Sequence, residues 1–239
     1  MVTLEKVTFI PTDVPRVFFR PEDWRRKEKV IRLGISACGA SSTACSLTAI
    51  YRKGGDVLVG IPGHCTSLVD TCRAPLSEML VQPSPFDGGG VNDIIGDLYE
   101  CYNYLAKDYI TVDQCLFKLR PGVAYEMSIF GNGAVKGYLP VKEGKPGMEI
   151  YKSGRTTGVS KGIVLSTNVT IDVDFICRTF EFRNAIVTTA ISAPGDSGAP
   201  AYTGDGKIIG YVVGGSDLIT VLGSIEEVLK YFKVDLLTA

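Results

Sequence analysis

The chain has 239 residues, of which 45% are hydrophobic and 21% are charged, as is ordinary for a globular protein. Its formal net charge of −1 indicates neither nucleic acid nor an anionic membrane as a partner. The chain has no apolar run of the roughly 18 residues that a membrane-spanning helix requires.

Residues 1–30 read as an N-terminal extension, with a short polar turn opening at Pro21 and basic residues after Trp24. We expect this extension to be a solvated cap on the body of the protein. The start of the chain lacks the basic region followed by an apolar stretch that marks a signal peptide. The sequence therefore slightly favours the cytoplasm, and it leaves the localisation and the oligomeric state open.

From Ile31 onward the chain consists of short apolar runs rich in Val, Ile, Tyr and Phe, separated by Gly, Pro, Asp and Asn. This pattern predicts an all-β barrel or sandwich. Long amphipathic helices do not alternate with these runs, which argues against a parallel α/β sheet. The runs are Ser46–Tyr51, Val57–Ile61, Gln114–Leu119, Ala124–Ile129, Gly162–Leu165, Ala185–Thr189 and Ile208–Val213.

The β runs divide into two units of comparable size. The break falls near residues 140–148, which predicts a first unit over 31–142 and a second over 143–239. The second unit ends in a predicted helix. Ser224, followed three residues later by Glu227, forms a capping box, and apolar residues then recur at helical spacing.

Seven cysteines complicate the choice of compartment. Cys38 and Cys45, like Cys65 and Cys72, lie seven positions apart, a spacing that a local disulfide could close. The alternative is free, buried thiols, because Cys packs as a small hydrophobe. The sequence contains one histidine and no Cys-x-x-Cys, which argues against a structural zinc site.

Ser197 lies in the run Pro194–Pro200, between Gly195-Asp196 and Gly198. A serine hydroxyl becomes nucleophilic when a base removes its proton, and acyl transfer requires donors for the oxyanion. Gly195 lets the backbone turn so that the N–H groups of Gly195 and Ser197 can point into one small hole. The same residues also make a good tight turn, so this run alone does not identify a nucleophile.

His64 is the only histidine, and it follows the apolar run that ends at Ile61. It is the one side chain whose ordinary pKa lies near neutrality, so it is the candidate base. Asp113 opens a strand that we expect to be buried, where an isolated carboxylate is costly. We therefore expect Asp113 to orient the imidazole. Asp93 and Asp97 are the rival acids.

The order His, Asp, Ser resembles that of chymotrypsin-like serine peptidases. Gly195–Pro200 is close to that family's nucleophile motif, and Gly63–Cys65 resembles the end of its histidine motif. The family's usual Ala-Ala before the histidine is here Pro62-Gly63, which could shift the imidazole and reduce activity.

A finer resemblance is to a microbial trypsin-like branch of this family. Gln82–Gly89 is similar to a segment of that branch, Lys152–Gly158 matches its Lys-Ser-Gly-Arg-Thr-Thr-Gly hairpin, and Ser224–Leu229 resembles its terminal helix. Within the hairpin, Arg155 is either a plain turn residue or one that binds substrate or braces the second unit. The resemblance covers about residues 34–237.

The resemblance implies two six-stranded antiparallel β-barrels with a C-terminal α-helix, and a serine endopeptidase that uses His64, Asp113 and Ser197. It implies an oxyanion hole at Gly195 and Ser197, and no cofactor or metal. It also implies a protein or peptide as the substrate. By the same resemblance, Ile191 forms the base of the specificity pocket and Val213-Gly214-Gly215 one wall.

That pocket contains no acidic group at its base, so we expect a small or medium apolar residue at P1, although Asp217 lies nearby in sequence. Three alternatives share the fold. The first is a catalytically inactive binding module, for which the altered histidine motif is the best support. The others are an esterase and a structural or assembly protein, such as a virion component.

Overall fold

The computed structural model describes residues 21–42, 44–66, 72–175 and 177–239. Most of the predicted N-terminal extension, residues 1–20, lies outside them. The protein is predominantly β, as the sequence predicts. The strands are β1 (Val30–Leu33), β2 (Cys38–Gly39), β3 (Ala49–Lys53), β4 (Asp56–Ile61), β5 (Met79–Val81), β6 (Ile94–Cys101), β7 (Tyr109–Ile110), β8 (Cys115–Leu119), β9 (Ala124–Ile129), β10 (Gly133–Ala134), β11 (Glu149–Gly154), β12 (Gly158–Phe175), β13 (Arg178–Thr189), β14 (Pro200–Tyr202), β15 (Ile208–Gly215), β16 (Ile219–Ser224) and β17 (Asp235–Leu236).

Helical structure in the described ranges is short. Helix α1 spans Ile225–Phe232, and 3₁₀ turns cover Pro21–Arg25, Gly63–Cys65, Pro85–Asp87, Val91–Asp93 and Val141–Glu143. None of these helices combines the length and the apolar character that crossing a lipid bilayer would require.

The sheet of the C-terminal half closes on itself. Its strands follow the order β12-β11-β14-β15-β16-β13, and β12 also pairs with β13, which completes a six-stranded ring. Closure gives each strand of the ring a neighbour on both sides, and the part of β13 before Ile186 extends beyond its pairing with β16. The two-residue strand β7, from the first half of the chain, pairs in parallel with β13 at Glu181 and Phe182.

The main sheet of the N-terminal half has the order β17-β3-β4-β8-β6-β5-β2, and β1, β9 and β10 form a separate small sheet. This main sheet has seven strands where the sequence led us to expect six. The short strands β17, from the C-terminus, and β2 lie at its two ends. The expected two-barrel, all-β architecture is confirmed, with each half exchanging one short strand with the other.

The pairing of β4 with β8 positions the residues that follow and precede these strands. Ile61, at the end of β4, lies opposite Cys115, at the start of β8, and both are fully buried. Burial of each large apolar side chain contributes about 1.5–3 kcal/mol, so this register is well determined. The turn after β4 and the segment before β8 are therefore neighbours.

The predicted C-terminal helix is confirmed. The Glu227 N–H donates to Ser224 Oγ at 3.4 Å, as a capping residue requires. Ile225, Val228 and Phe232 are buried on the face that packs against the sheet.

The cysteines do form disulfides. The local bonds considered from the sequence, Cys38 to Cys45 and Cys65 to Cys72, are not the ones that form. The bonds join Cys45 to Cys65, Cys72 to Cys177 and Cys101 to Cys115, and Cys38 is a buried free thiol. The reason is tertiary. Cys101 and Cys115, for example, are direct partners across β6 and β8, so sheet register and not sequence spacing selects the pair.

The start of the described chain is not a solvated cap. Trp24 is only 2% exposed and packs edge-on against Phe130, with ring centroids 5.1 Å apart. Arg26, Lys27 and Lys29 are exposed, as the sequence suggests, whereas Arg25 is half-buried and the indole belongs to the main core.

Candidate active site

His64 and Asp113 meet at the paired ends of β4 and β8. His64 lies in the 3₁₀ turn directly after β4, and its Nδ1 is 2.5 Å from Asp113 Oδ2. The backbone N–H of His64 also donates to Asp113 Oδ1 at 3.1 Å. One carboxylate thus holds both the imidazole and the backbone of the histidine turn.

The unusual glycine before the histidine has a steric cause. A Cβ at Gly63 would lie 1.8 Å from the Tyr104 hydroxyl oxygen, so no larger residue fits there. Pro62-Gly63 therefore accommodates Tyr104, and His64 remains in contact with Asp113.

The Asp113 carboxylate is fully buried and its oxygens are hydrogen-bonded. Tyr104 donates its hydroxyl hydrogen to Oδ1 at 2.5 Å, and the Asp113 N–H donates to the Tyr211 hydroxyl at 2.9 Å. Burial alone raises the pKa of Asp113. The charge and hydrogen bonds of His64 and the bond from Tyr104 outweigh burial, so the pKa lies below its usual value. Sequence reasoning missed both tyrosines, because no local pattern links them to the aspartate.

The rival acids are occupied elsewhere. Asp93 pairs with Lys27 at the surface, and Asp97 on β6 accepts two hydrogen bonds from Arg120, at 2.9 and 2.6 Å. Among the described contacts, neither carboxylate touches His64.

Ser197 lies in the turn between β13 and β14 and is half-buried. Gly195 and Gly198 on either side have φ values of +97° and +89°, which glycine adopts without strain. The Ser197 carbonyl accepts from the Ser46 N–H at 2.8 Å, which ties this turn to the first half of the chain.

The serine turn abuts the histidine turn through backbone packing. A Cβ at Gly198 would lie 2.1 Å from the Ser46 carbonyl oxygen and 2.6 Å from Pro62 Cδ, so the two segments are in close contact. Within the described residues, the Ser197 hydroxyl makes no hydrogen bond to His64. Such a bond is often long in the absence of substrate, so its geometry here does not exclude the pair.

The N–H groups of Gly195 and Ser197 have no acceptor among the described residues.

Asp196, between these two residues, is fully buried, and both of its carboxylate oxygens accept hydrogen bonds. Oδ1 accepts from the N–H groups of Thr156 and Thr157 at 2.8 and 3.2 Å. Oδ2 accepts from Lys152 Nζ at 3.2 Å, and from Thr157 Oγ1 and the Ala193 N–H at 2.7 and 3.1 Å. The turn that carries the two free donors is thereby held by one carboxylate.

Lys152 is fully buried beside Asp196. Burial lowers the pKa of the lysine, and the Asp196 carboxylate partly offsets this shift. The β11–β12 turn at Lys152–Gly158 therefore supplies the charge that neutralises Asp196.

Arg155, in the same turn, braces the two halves of the protein. It donates from Nε and an NH2 group to both Asp87 oxygens, at 2.7 and 2.5 Å, and its backbone N–H donates to Ser46 Oγ at 2.9 Å. Burial raises the pKa of Asp87, but the bonds from Arg155, Ser36 and Ser84 lower it further, below its usual value. The sequence segments Gln82–Gly89 and Lys152–Gly158 are thus joined by an ion pair.

Two adjoining clefts flank Gly214, Gly215 and Ser216. One has a volume of about 440 Å³ and is lined by His64, Phe175 and Val213, among others. The other, of about 390 Å³, is lined by Ser197 and also by Ser192, Ala193, Pro194, Val212 and Asp217. His64 and Ser197 therefore line two adjoining clefts that share Gly214, Gly215 and Ser216, and we call these two clefts together the groove.

Ile191 does not line either cleft. Its side chain packs in the core of the second barrel, against Gly162 and among other buried aliphatic residues. The hydroxyl groups of Ser192 and Thr220, 2.8 Å apart, lie near the position that the sequence assigned to the pocket base. Val213, Gly214 and Gly215 line the cleft beside His64.

Phe175 stacks on His64, with ring centroids 5.4 Å apart. It ends the long strand β12, and the nearby Cys177 is bonded to Cys72, so the hairpin tip is tied to the first half of the chain. Sequence reasoning missed this contact. The available signal was Cys177, the one cysteine in the second half of the chain, whose disulfide partner had to come from the first half.

Cys45, His64 and Cys65 have potential ligand atoms within 4.8 Å of one another. The two sulfurs are bonded to each other, so neither is a thiolate able to bind a metal.

No protein-family model matches this chain, and no curated protein matches it. Solved structures do. Thermobifida fusca protease A has a TM-score of 0.65 at 22% identity, covering 87% of this chain and 100% of that one. A glutamic acid specific serine protease with a histidine triad in substrate binding has a TM-score of 0.63 at 22% identity, with the same coverage. Cellulomonas bogoriensis chymotrypsin has a TM-score of 0.63 at 19% identity, also covering 87% and 100%. At these identities the likeness shows the fold, and the expected chymotrypsin-like fold is confirmed.

Proposed function

We propose that this chymotrypsin-like protein is a serine endopeptidase that hydrolyses protein or peptide substrates through an acyl-enzyme. The observation that carries the proposal is the pair of His64 and buried Asp113, 2.5 Å apart, opening onto the same groove as Ser197. The finer relationship to the microbial trypsin-like branch is part of the proposal, and its support is the sequence of Lys152–Gly158.

In the proposed mechanism, Ser197 Oγ attacks the substrate carbonyl while His64 Nε2 accepts its proton. His64 then returns the proton to the leaving amine, and water repeats the sequence to release the acyl group. Asp113 accepts a hydrogen bond from Nδ1, which leaves Nε2 free to act as the base and stabilises the imidazolium that forms. The chemistry needs no metal or cofactor.

The N–H groups of Gly195 and Ser197 form the proposed oxyanion hole. Their support is that both lack an acceptor among the described residues while Asp196 holds the turn between them. A donor of this kind contributes about 2.7–4 kcal/mol to transition-state stabilisation.

The groove supports an extended peptide as the substrate. Val213, Gly214 and Gly215 end strand β15 beside both candidate catalytic side chains. A substrate strand can pair with such a backbone edge and place its side chains alternately in the clefts.

The test is labelling with a fluorophosphonate probe, followed by turnover of matched peptide and ester substrates. Wild-type protein and Ser77→Ala, a change at an exposed serine outside the groove, should both label, whereas Ser197→Ala should not. Equal labelling of the wild type and Ser197→Ala would refute the nucleophile. Ester turnover without peptide turnover would favour an esterase, and no labelling of the wild type would favour an inactive binding module.

A further inference from the structure

The N-terminal strap, which we define as residues 21–29, is held against the body by specific contacts. Gln82 is almost fully buried, and it donates its amide to the Arg26 carbonyl at 2.7 Å while accepting from the Glu28 N–H at 2.9 Å. The Ser36 N–H donates to the Trp24 carbonyl at 2.8 Å. The strap backbone is therefore bound at Trp24 and on its C-terminal side.

The indole of Trp24 occupies a seat formed by the β11–β12 turn. Its Nε1 donates to Ser153 Oγ at 2.9 Å, and that hydroxyl donates onward to the Phe130 carbonyl at 2.6 Å. A Cβ at Gly158 would lie 3.3 Å from the indole ring, and one at Gly131 would lie 2.8 Å from it. The absence of side chains at both glycines leaves the space that the indole fills.

The same turn holds Asp196. The Gly158 carbonyl accepts from Lys152 Nζ at 3.1 Å, and that ammonium also donates to Asp196 Oδ2. Thr157, adjacent to Gly158, binds both oxygens of Asp196. A displacement of Gly158 would therefore move two of the groups that position Asp196.

From these contacts we infer that Trp24 is a positioning residue for the oxyanion hole. The strap holds the indole of Trp24 against Gly158, in the β11–β12 turn. That turn binds Asp196, and Asp196 in turn fixes the direction of the Gly195 and Ser197 N–H groups. The inference rests on the proposed peptidase function for its catalytic consequence. Its structural part, the control of the serine turn by the strap, does not depend on activity.

The catalytic test compares Trp24→Ala and Trp24→Phe with Val228→Ala, a cavity variant in the buried face of helix α1. We expect Trp24→Ala to lower kcat by about 10- to 100-fold with KM changed by less than about threefold, because misplaced donors affect the transition state. Trp24→Phe keeps an aromatic ring but loses the bond to Ser153, so it should recover part of the loss. Val228→Ala should lower the melting temperature and leave kcat within about twofold of wild type.

A second readout keeps the test valid if Trp24→Ala folds poorly. Trp24 is the only tryptophan, so its emission reports directly whether the strap is seated. In a denaturant titration of the wild type, fluorophosphonate labelling should be lost at the same denaturant concentration as the change in tryptophan emission. Labelling that persists after the tryptophan emission has changed would overturn the inference.

Hydrogen exchange separates this inference from the proposed function. The peptide containing residues 193–199 should exchange faster in Trp24→Phe than in wild type or Val228→Ala, whether or not the protein is active. A wild type that is never labelled by the fluorophosphonate would refute the peptidase proposal. The hydrogen-exchange rate of residues 193–199 in Trp24→Phe would then test the role of the strap by itself. Unchanged exchange, or unchanged kcat in a labelled and folded Trp24→Ala protein, would refute the positioning role.

Discussion

The Tyr104 hydroxyl donates to Asp113 Oδ1 at 2.5 Å, while the other oxygen of the same carboxylate faces His64 Nδ1. Burial, followed by the charge of Asp113, raises the pKa of Tyr104 well above its usual value, so the hydroxyl stays protonated and acts as a donor. The tyrosine therefore satisfies one oxygen and fixes the direction of the other. Gly63 provides the space in which this hydroxyl lies.

Replacing Tyr104 by Phe should lower kcat by about tenfold or more with little change in KM. A hydrogen bond to a charged group contributes about 1.5–3 kcal/mol, and its loss leaves buried Asp113 Oδ1 with the His64 backbone N–H as its remaining donor. Steady-state kinetics on a peptide substrate would measure the effect. Tyr102→Phe is the matched control, since that ring contacts Tyr104 but its hydroxyl bonds at Thr111. Equal losses in the two variants would contradict a specific role for the Asp113 bond.

Replacing Asp87 by Asn should reduce the free energy of unfolding by about 3 kcal/mol at pH 7, because Arg155 would lose its buried partner. Both side chains of this pair are only 6% exposed. The pKa of Asp87 is lowered in the fold, so its contribution is present above the unfolded pKa and is lost as the pH falls through the folded one.

The difference between Asp87→Asn and wild type should therefore narrow as the pH falls below about 4. Urea unfolding at neutral and acid pH would test this. Asp97→Asn, which removes an exposed partner of Arg120, should change stability little at either pH. A difference for Asp87→Asn that is independent of pH would show that the lost ion pair is not its cause.

Removing the Cys72–Cys177 disulfide by a double substitution to Ala should cost about 5 kcal/mol of stability in the chain-entropy description, because the bond closes a long loop. The bond spans 105 residues, against 14 for Cys101–Cys115, whose removal is the control. The hairpin tip would also be released, and Phe175 would no longer be held over His64. We expect KM for a peptide to rise more in the first variant than in the second. Equal KM values would mean that the tether does not shape the groove.

The groove beside Ser197 should favour Lys or Arg at P1, contrary to the apolar residue expected from the sequence. That expectation depended on Ile191 at the pocket base, and its side chain lies in the core. Asp217 lines the cleft instead and has no cationic partner among the residues described.

Because Asp217 is exposed, its attraction for a cation is screened, and we expect a preference of about fivefold in kcat/KM over an uncharged residue of similar length. Competition between peptides with Lys and Gln at P1 would measure it. Asp217→Asn should abolish the preference without changing fluorophosphonate labelling. A wild type that cleaves preferentially after small apolar residues would restore the original expectation.

Much of the architecture could be predicted because its signals are local. Alternating turn residues and β-branched runs indicate an all-β chain, and the capping box at Ser224 places the final helix. The residue types at the candidate site could also be chosen locally. A serine between glycines, a single histidine at a strand end and an aspartate opening a strand each have a chemical reason that does not require knowledge of their neighbours.

The partners of these residues required the tertiary structure. Tyr104 contacts Gly63, Phe175 stacks on His64, and Trp24 contacts Ser153, all between segments far apart in sequence. Periodicity says which face of a strand is buried, but not which distant segment covers it. The disulfide pairs could not be read from the sequence for the same reason. Sheet register brings Cys101 to Cys115, and a hairpin tip brings Cys177 to Cys72.

The sequence by itself therefore determined the fold class and a small set of candidate catalytic residue types in a particular order. Only the tertiary structure decided which residues hold them: Tyr104 on Asp113, the Lys152–Gly158 turn on Asp196, and Trp24 on that turn. The physical reason is that these positions depend on how two barrels and a strap pack together. Packing is a property of surfaces assembled from the whole chain, whereas composition and spacing describe one segment at a time.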